Sequence, residues 1–449
     1  MIAAATAATG CIEDGFETSP SAQPAFSTDT LKLGEQFADE PSPTFAMKIY
    51  NRHGKQLNLQ SVRMRSGKHF RINVDGMSGT AFANVEIRPN DSIYVFVETT
   101  LPSTGLIGPQ DVTDYIDVVT NGVSRSVVVT AQSTDVVRLK RAALSADMTL
   151  TAERPYLIYD TLSVSPGVTL TIEPGARLLF HDKAAMVVHG ILRSSGTAEA
   201  PVTMRGDRTG SVVADISFEV MSNQWEGIRF AKGSAGNEMS HTDIANTCQG
   251  LRLDSLANLS MTNCRVTNSG TVLITADAAT MTAAGCELSN AADAIILLSG
   301  GKYRLDRCTL ANWYLFSFPS MAIVQIQDPQ TTELDITNSI IYGRGIPAGF
   351  GPMDDGEEIT SLPIYFRRCM FRYGGEDDEN FIGCIWDTDP MLQYSLTEYT
   401  FPYTPLPDSP AIDAADPALD LPQLPAADMR GNPRGATLGA YGATDESEN

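Results

Sequence analysis

One short pattern returns at a fixed interval and constrains this chain more than anything else in it. TNCRV at 262–266 recurs as AGCEL at 284–288 and DRCTL at 306–310, so Cys264, Cys286 and Cys308 stand 22 residues apart, twice over. Asp243 in HTDIA lies 21 residues before Cys264, and TNSII (337–341) and RRCMF (367–371) continue the series after gaps of about 30 residues. A period of this size marks a solenoid. Residues 162–204 carry the matching strand signal: apolar pairs Leu162/Val164, Leu170/Ile172, Leu178/Phe180, Met186/Val188 and Val202/Met204, separated by glycine-bearing corners. Strands this short form no sheet alone and have to stack on copies of themselves. Three of them in 22 residues fit one coil of a right-handed parallel β-helix, with a rise of about 4.8 Å per coil. Small, soft cysteines suit an inward ladder between coils. Free buried thiols are expected there. Neighbouring coils bring the Cα atoms near disulfide range, but strand-aligned thiols have unsuitable side-chain vectors.

The region before the solenoid reads differently. FAMKIY (45–50), SIYVFV (92–97) and RSVVVT (125–130) are short aromatic and β-branched runs bounded by turn residues. Asn121-Gly122 between two apolar runs signals a tight hairpin. About seven strands and no amphipathic helix over 23–137 predict an immunoglobulin-like β-sandwich. Asp111, Asp114 and Asp117 are expected to be solvated.

Charge and cysteine spacing exclude several functions. Against 32 basic residues stand 54 acidic ones, a net charge of −22. That balance opposes binding to a nucleic-acid backbone and any unaided electrostatic hold on anionic lipid. No run approaches the roughly 20 apolar residues that span a bilayer. No CxxC pair or HExxH is present, which speaks against a zinc or other transition-metal site.

Near the N-terminus, Ala8, Thr9 and Gly10 precede Cys11, and Ile12, Glu13 and Asp14 follow it. The stretch resembles the lipobox of Bacteroidetes surface lipoproteins, in which the cysteine carries the lipid and acids after it accompany surface export. Ten residues precede Cys11 and hold no basic n-region, a departure from that pattern. The resemblance implies lipidation at Cys11, a flexible tether to residue 22, and a lipid-anchored place on the cell outer membrane, facing outward. The order of strands over 23–137 is similar to bacterial Ig-like spacer domains.

TLTIEPGARLLF, GILRSSGTAEAPVTMRG and WEGIRF resemble right-handed parallel β-helix proteins of bacterial surfaces, with pectate-lyase-like repeats. SPAIDAADPALDLPQLPAADMRGNPRGATLGAYGA (409–443) resembles the closing segment of such proteins, with Gly442 where a glutamate is usual. The resemblance implies an all-β chain: a sandwich, a solenoid over 138–400, and a closing segment and acidic tail over 401–449. The closing segment is expected to cap the open end of the solenoid, with Arg434 paired to Asp413 or Asp428.

The β-helix fold also hosts polysaccharide lyases and glycosidases, so two acidic loops are candidate ligand or calcium sites. One holds Asp354, Asp355, Glu357 and Glu358, the other Glu376, Asp377, Asp378 and Glu379. Neither has the spacing of an EF-hand, and calcium is the only cofactor they suggest. Trp313 and Tyr314 are candidates for stacking on sugar faces. No catalytic residue is assigned. The expected function is a non-catalytic, lipid-anchored envelope protein that presents its β-helix to surface proteins or glycans. The alternative is a glycan-cleaving enzyme with a groove near 312–380. Two carboxylates with a facing Lys or Arg across adjacent coils would favour the enzyme; smooth aliphatic ladders with only loop acids would favour the binder.

Overall fold

The computed structural model describes residues 15–208, 210–213, 216–352 and 358–443. The chain divides between Val136 and Val137 into two compact units.

The first unit is a sandwich of two five-stranded sheets. Its strands are β1 (Ala25–Phe26), β2 (Thr30–Phe37), β3 (Phe45–Tyr50), β4 (Leu57–Met64), β5 (Phe70–Val74), β6 (Met77–Gly79), β7 (Ala81–Ile87), β8 (Ser92–Thr99), β9 (Gln110–Thr120) and β10 (Val123–Thr134). One sheet runs β1-β3-β8-β5-β6 and the other β2-β10-β9-β4-β7. The period-2 alternation of each strand sends one set of side chains inward. Met47, Ile49, Ile72, Val95 and Val97 thereby meet Leu57, Leu59, Val62, Ile116, Val127 and Val129. Asn121 and Gly122 both take positive φ, 50° and 77°, and close the β9–β10 hairpin. Asp114 and Asp117 are buried, against the expectation of solvated acids. Burial opposes the Asp114 charge, but N–H and O–H bonds from Ser66, Tyr115 and Gly67 hold its carboxyl below the usual range. The Arg65 guanidinium does the same for Asp117 at 2.7 Å.

The second unit is a β-helix: 24 strands in one continuous sheet whose coil-to-coil pairs are all parallel. Its strands form three faces. Face one stacks Arg177–Phe180, Val202–Gly206, Thr242–Ala245, Arg265–Ser269, Glu287–Ala291, Thr309–Asn312, Ile340–Gly343 and Met370–Phe371. Face two begins with Ala185–Val188, Gly227–Phe230 and Leu251–Leu253, and face three includes Ile191–Ser195, Asn237–Ser240 and Asn258–Thr262. Inward positions form aliphatic ladders. On face one Leu178, Met204, Ile244, Val266, Leu288, Leu310, Ile341 and Phe371 lie in register, all fully buried. Each such side chain contributes roughly 1.5–3 kcal/mol of burial.

The recurring pattern is the corner between faces three and one. His241, Asn263, Gly285, Arg307, Asn338 and Arg368 occupy it, with φ of 41°, 49°, 66°, 49°, 48° and 53°. One left-handed residue turns the chain, which suits Asn and Gly. The next residue points inward: Thr242, Cys264, Cys286, Cys308, Ser339 and Cys369. The turn interrupts the backbone ladder, and these side chains repair it. The Cys264 N–H donates to Cys286 Sγ at 3.4 Å, the Cys308 N–H to Ser339 Oγ at 3.0 Å, and Ser339 Oγ donates to the Thr337 carbonyl at 2.6 Å. All six cysteines from 248 to 384 are free thiols, and burial pushes Cys264, Cys308 and Cys369 up.

The closing segment does not cap the open end. Aromatic rings fill the last coil, with Phe366 stacked on Phe381 at 4.8 Å and Phe371 on Trp386 at 4.6 Å. Together with the residues from 387 before it, the segment instead runs as a strap along the outside of face one. There the outward row turns apolar, and Ala311, Ile340, Tyr342 and Met370 need cover, which Phe401, Tyr403, Leu438 and Ala440 provide. Arg434 does not take Asp413 or Asp428 as its hydrogen-bond partner. Its guanidinium donates to Asn263 Oδ1 at 2.6 Å and the Ala440 carbonyl at 2.8 Å. Asp428 accepts the backbone N–H groups of Arg430, Asn432 and Gly442, and Asp413 is exposed with φ 59°.

Candidate functional site

The outward row of face one carries the charge. Asp243, Arg265 and Glu287 lie in register on three successive coils, a carboxylate on each side of a guanidinium. Above them opens a cleft of about 660 Å³. Asp243 and Arg265 lie on its floor; Glu219 and Val220 stand on one side, and Tyr399, Phe401 and Arg430 of the strap on the other. This size suits a small molecule or a short oligosaccharide.

The two carboxylates have different fates. Glu287 is 0% exposed. Its Oε1 accepts Arg265 Nε at 3.1 Å and Ser289 Oγ at 2.7 Å, and its Oε2 accepts the Tyr441 hydroxyl. Both oxygens are bonded within the fold, and the side chain is wholly buried. Asp243 is half-buried in the cleft. Burial raises its carboxyl above the usual range, and the Arg265 charge restores only part of the shift. Asp243 therefore keeps its proton to higher pH than an ordinary aspartate and can donate a hydrogen bond. His241 is the corner residue two positions before Asp243, its Nε2 at 3.2 Å from Asn263 Nδ2, and burial lowers its pKa. Arg430 lies over the Tyr441 ring at 4.5 Å and leaves its charge at the cleft mouth.

The residues singled out from sequence fall elsewhere. Cys11, Asp354, Asp355 and Glu357 lie outside the described residues. Glu358 is exposed before the short turn Ile359–Ser361, and Glu376 and Glu379 are exposed. Asp377 and Asp378 fasten their own loop. Asp377 accepts the Gly383 N–H at 2.7 Å and Trp386 Nε1 at 3.0 Å; Asp378 accepts the Asn380 and Phe381 N–H groups at 2.7 and 2.8 Å. Among the described residues no three His, Cys, Asp or Glu side chains gather as metal ligands. Trp313 and Tyr314 offer no open platform, at 8% and 6% exposure. Trp313 is stacked on Tyr394 at 5.0 Å, and the Tyr314 hydroxyl bonds Ser222 at 2.7 Å. The strap supplies Tyr394 from 80 residues downstream, and that cover corrects the sugar-stacking assignment. Arg344 and Arg372 donate to the carbonyls of Tyr314 and Gly343, and Arg367 pairs with Asp335 at 3.0 Å.

Sequence reasoning missed Asp243, Arg265 and Glu287 as a set. The signal was present at the same 22-residue spacing. Each is the residue directly after the inward corner position, and the strand period sends it outward.

No family model matches the chain. The bark beetle protein of Drosophila melanogaster is 32% identical over 82 residues, which is 18% of this chain and 2% of that protein. A crystal structure of a protein of unknown function from Porphyromonas gingivalis W83 is 20% identical over 25% of this chain and 48% of that one, with a TM-score of 0.19. A family 123 glycoside hydrolase from Clostridium perfringens is 8% identical over 24% and 25% of the two chains, with a TM-score of 0.18. This chain thus spans under half of each of these three proteins, and TM-scores this low carry no argument about function.

Proposed function

We propose that the protein is a non-catalytic, lipid-anchored envelope protein whose β-helix binds a glycan in the cleft on face one. The row Asp243–Arg265–Glu287 is the pair of carboxylates with a facing arginine that would favour an enzyme; the observation that turns the reading to a binder is the engagement of Glu287. A glycosidase needs two carboxylates free to reach the scissile bond, and of the Asp243–Glu287 pair only Asp243 is open to the cleft. What remains are a carboxyl that holds its proton to higher pH than usual, two guanidiniums and strap aromatics, groups that bind hydroxyls, acidic substituents and sugar C–H faces. The Ig-like sandwich acts as a spacer, and the anchor is Cys11.

Titration calorimetry of the full chain with soluble polysaccharides tests the cleft. Binding is expected to weaken as pH rises, because Asp243 loses the proton it donates. Asp243→Asn, a permanent donor, is expected to remove that pH dependence. Binding that ignores both pH and Asp243→Asn sinks the cleft reading. The raised Asp243 carboxyl also suits a general acid, which keeps a second reading in view: glycan cleavage. New reducing ends from the parent chain, lost in Asp243→Asn, would establish the enzyme and overturn the binder. For the anchor, the intact mass of natively expressed protein is expected to show a chain that begins at Cys11 with acyl groups. Cys11→Ala is expected to leave the membrane fraction; an unmodified soluble parent rules the anchor out.

A further inference from the structure

A second groove lies on the sandwich, far in sequence from the cleft and independent of it. It occupies the outer face of the β1-β3-β8-β5-β6 sheet and encloses about 420 Å³. Strand β8 alternates: Val95 and Val97 point into the core, and Tyr94, Phe96 and Glu98 point out. The two outward rings are parallel, 7° apart with centroids at 5.5 Å, and are 46% and 37% exposed.

Register sets what surrounds them. Across the sheet from Phe96 stand Ala46 on β3 and Asn73 on β5, with Ser78 of β6 opposite Asn73. Alanine is too short to cover the ring on that side. The next row holds Glu98 opposite Arg71, with Thr44 Oγ1 donating to Glu98 Oε1 at 2.6 Å. Asn73 donates to Ser78 Oγ at 3.0 Å, and its Oδ1 has no hydrogen-bond partner. The groove thus sets one open aromatic ring among a guanidinium, a carboxylate, an amide and two hydroxyls.

From this arrangement we infer that the sandwich is itself a glycan-binding module and more than a spacer. An apolar ligand would leave the polar rim desolvated and unpaired, at a cost. A strand-adding peptide needs a sheet edge, whereas this groove lies on a face. A pyranose matches it: its C–H face covers Phe96, and its hydroxyls meet donors and acceptors on both sides.

The test is affinity electrophoresis of the full chain through gels that contain xylan, mixed-linkage β-glucan or gastric mucin. Retardation is expected in at least one gel. Phe96→Ala is expected to weaken that binding about tenfold, as the loss of one ring contact implies. Ala46→Arg keeps the ring but fills the groove, and is expected to do the same. Both positions are on the surface, and unchanged circular dichroism confirms the fold. Equal retardation of parent and both variants overturns the inference, as does no retardation in any gel. Retardation that falls in Arg430→Ala and is unchanged in Phe96→Ala and Ala46→Arg assigns the binding to the cleft. Groove-dependent retardation by mucin that survives deglycosylation identifies a polypeptide occupant and also overturns it.

Discussion

Arg307→Ala is expected to destabilise the β-helix unit by about 3 kcal/mol, the lower end for a buried pair that loses one partner. Arg307 is a corner residue, and its side chain is 1% exposed. Its guanidinium holds Asp420 through Nε at 2.8 Å and Nη2 at 2.9 Å, and the Thr437 carbonyl through Nη1 at 2.6 Å. The neighbouring Asp306 accepts the Leu421 N–H at 2.8 Å. Two adjacent side chains of one coil thus grip the strap at two places. Asp420 keeps 23% exposure, so water relieves part of its loss and the lower figure applies. Lys cannot supply the fork to Asp420 and a third donor to Thr437 together, so Arg307→Lys should recover less than half of the loss. Urea denaturation measures the stability, and limited proteolysis reports the strap. Cleavage is expected first between 387 and 443, with the coils still resistant. An unchanged midpoint with an uncut strap would mean that the grip adds nothing.

That strap also explains what sequence reading reached and what it did not. The solenoid was legible because its period and its inward alternation are local. The strands FAMKIY and SIYVFV, and the Asn121-Gly122 turn, follow from near neighbours in the same way. The cysteine pattern was legible as an inward ladder, although the residue before it, which makes the corner, and the residue after it, which makes the cleft, passed as background. Asp243, Arg265 and Glu287 become a site only when coils 22 residues apart are laid in register. Trp313 read equally well as a sugar platform or as core, because the strap that decides between them lies 80 residues away. Asp114 and Asp117 passed as solvated because their partners, residues 65–67, are some 50 positions upstream. Asp377 was conspicuous for its charge, yet its bonds to backbone N–H groups reflect loop geometry that a run of acids does not disclose.

The corner row supplies the other large effect. Gly285 is the corner residue between two coils that use Asn263 and Arg307, and a Cβ built on it would lie 2.4 Å from Arg434 Nη2 and 2.6 Å from Asn263 Oδ1. Its φ of +66° adds backbone strain to that clash for most side chains. Gly285→Ala is therefore expected to cost about 2–4 kcal/mol, the sum of an overpacked contact and a left-handed alanine. The two contributions can be separated. Asparagine tolerates the left-handed region, as Asn263 and Asn338 show at equivalent corners. Gly285→Asn removes most of the strain but keeps the clash, so it should still cost about 1–3 kcal/mol. In an Arg434→Ala background the nearer obstruction is gone and only the Asn263 contact is left, so Gly285→Asn should cost markedly less. A double-mutant cycle measured by thermal or urea unfolding gives the coupling, expected at about 1–3 kcal/mol. Coupling near zero would mean that Arg434 yields freely. The strap would then rest on its other holds, among them Arg307 on Asp420, Asp306 on the Leu421 N–H and Glu287 on the Tyr441 hydroxyl.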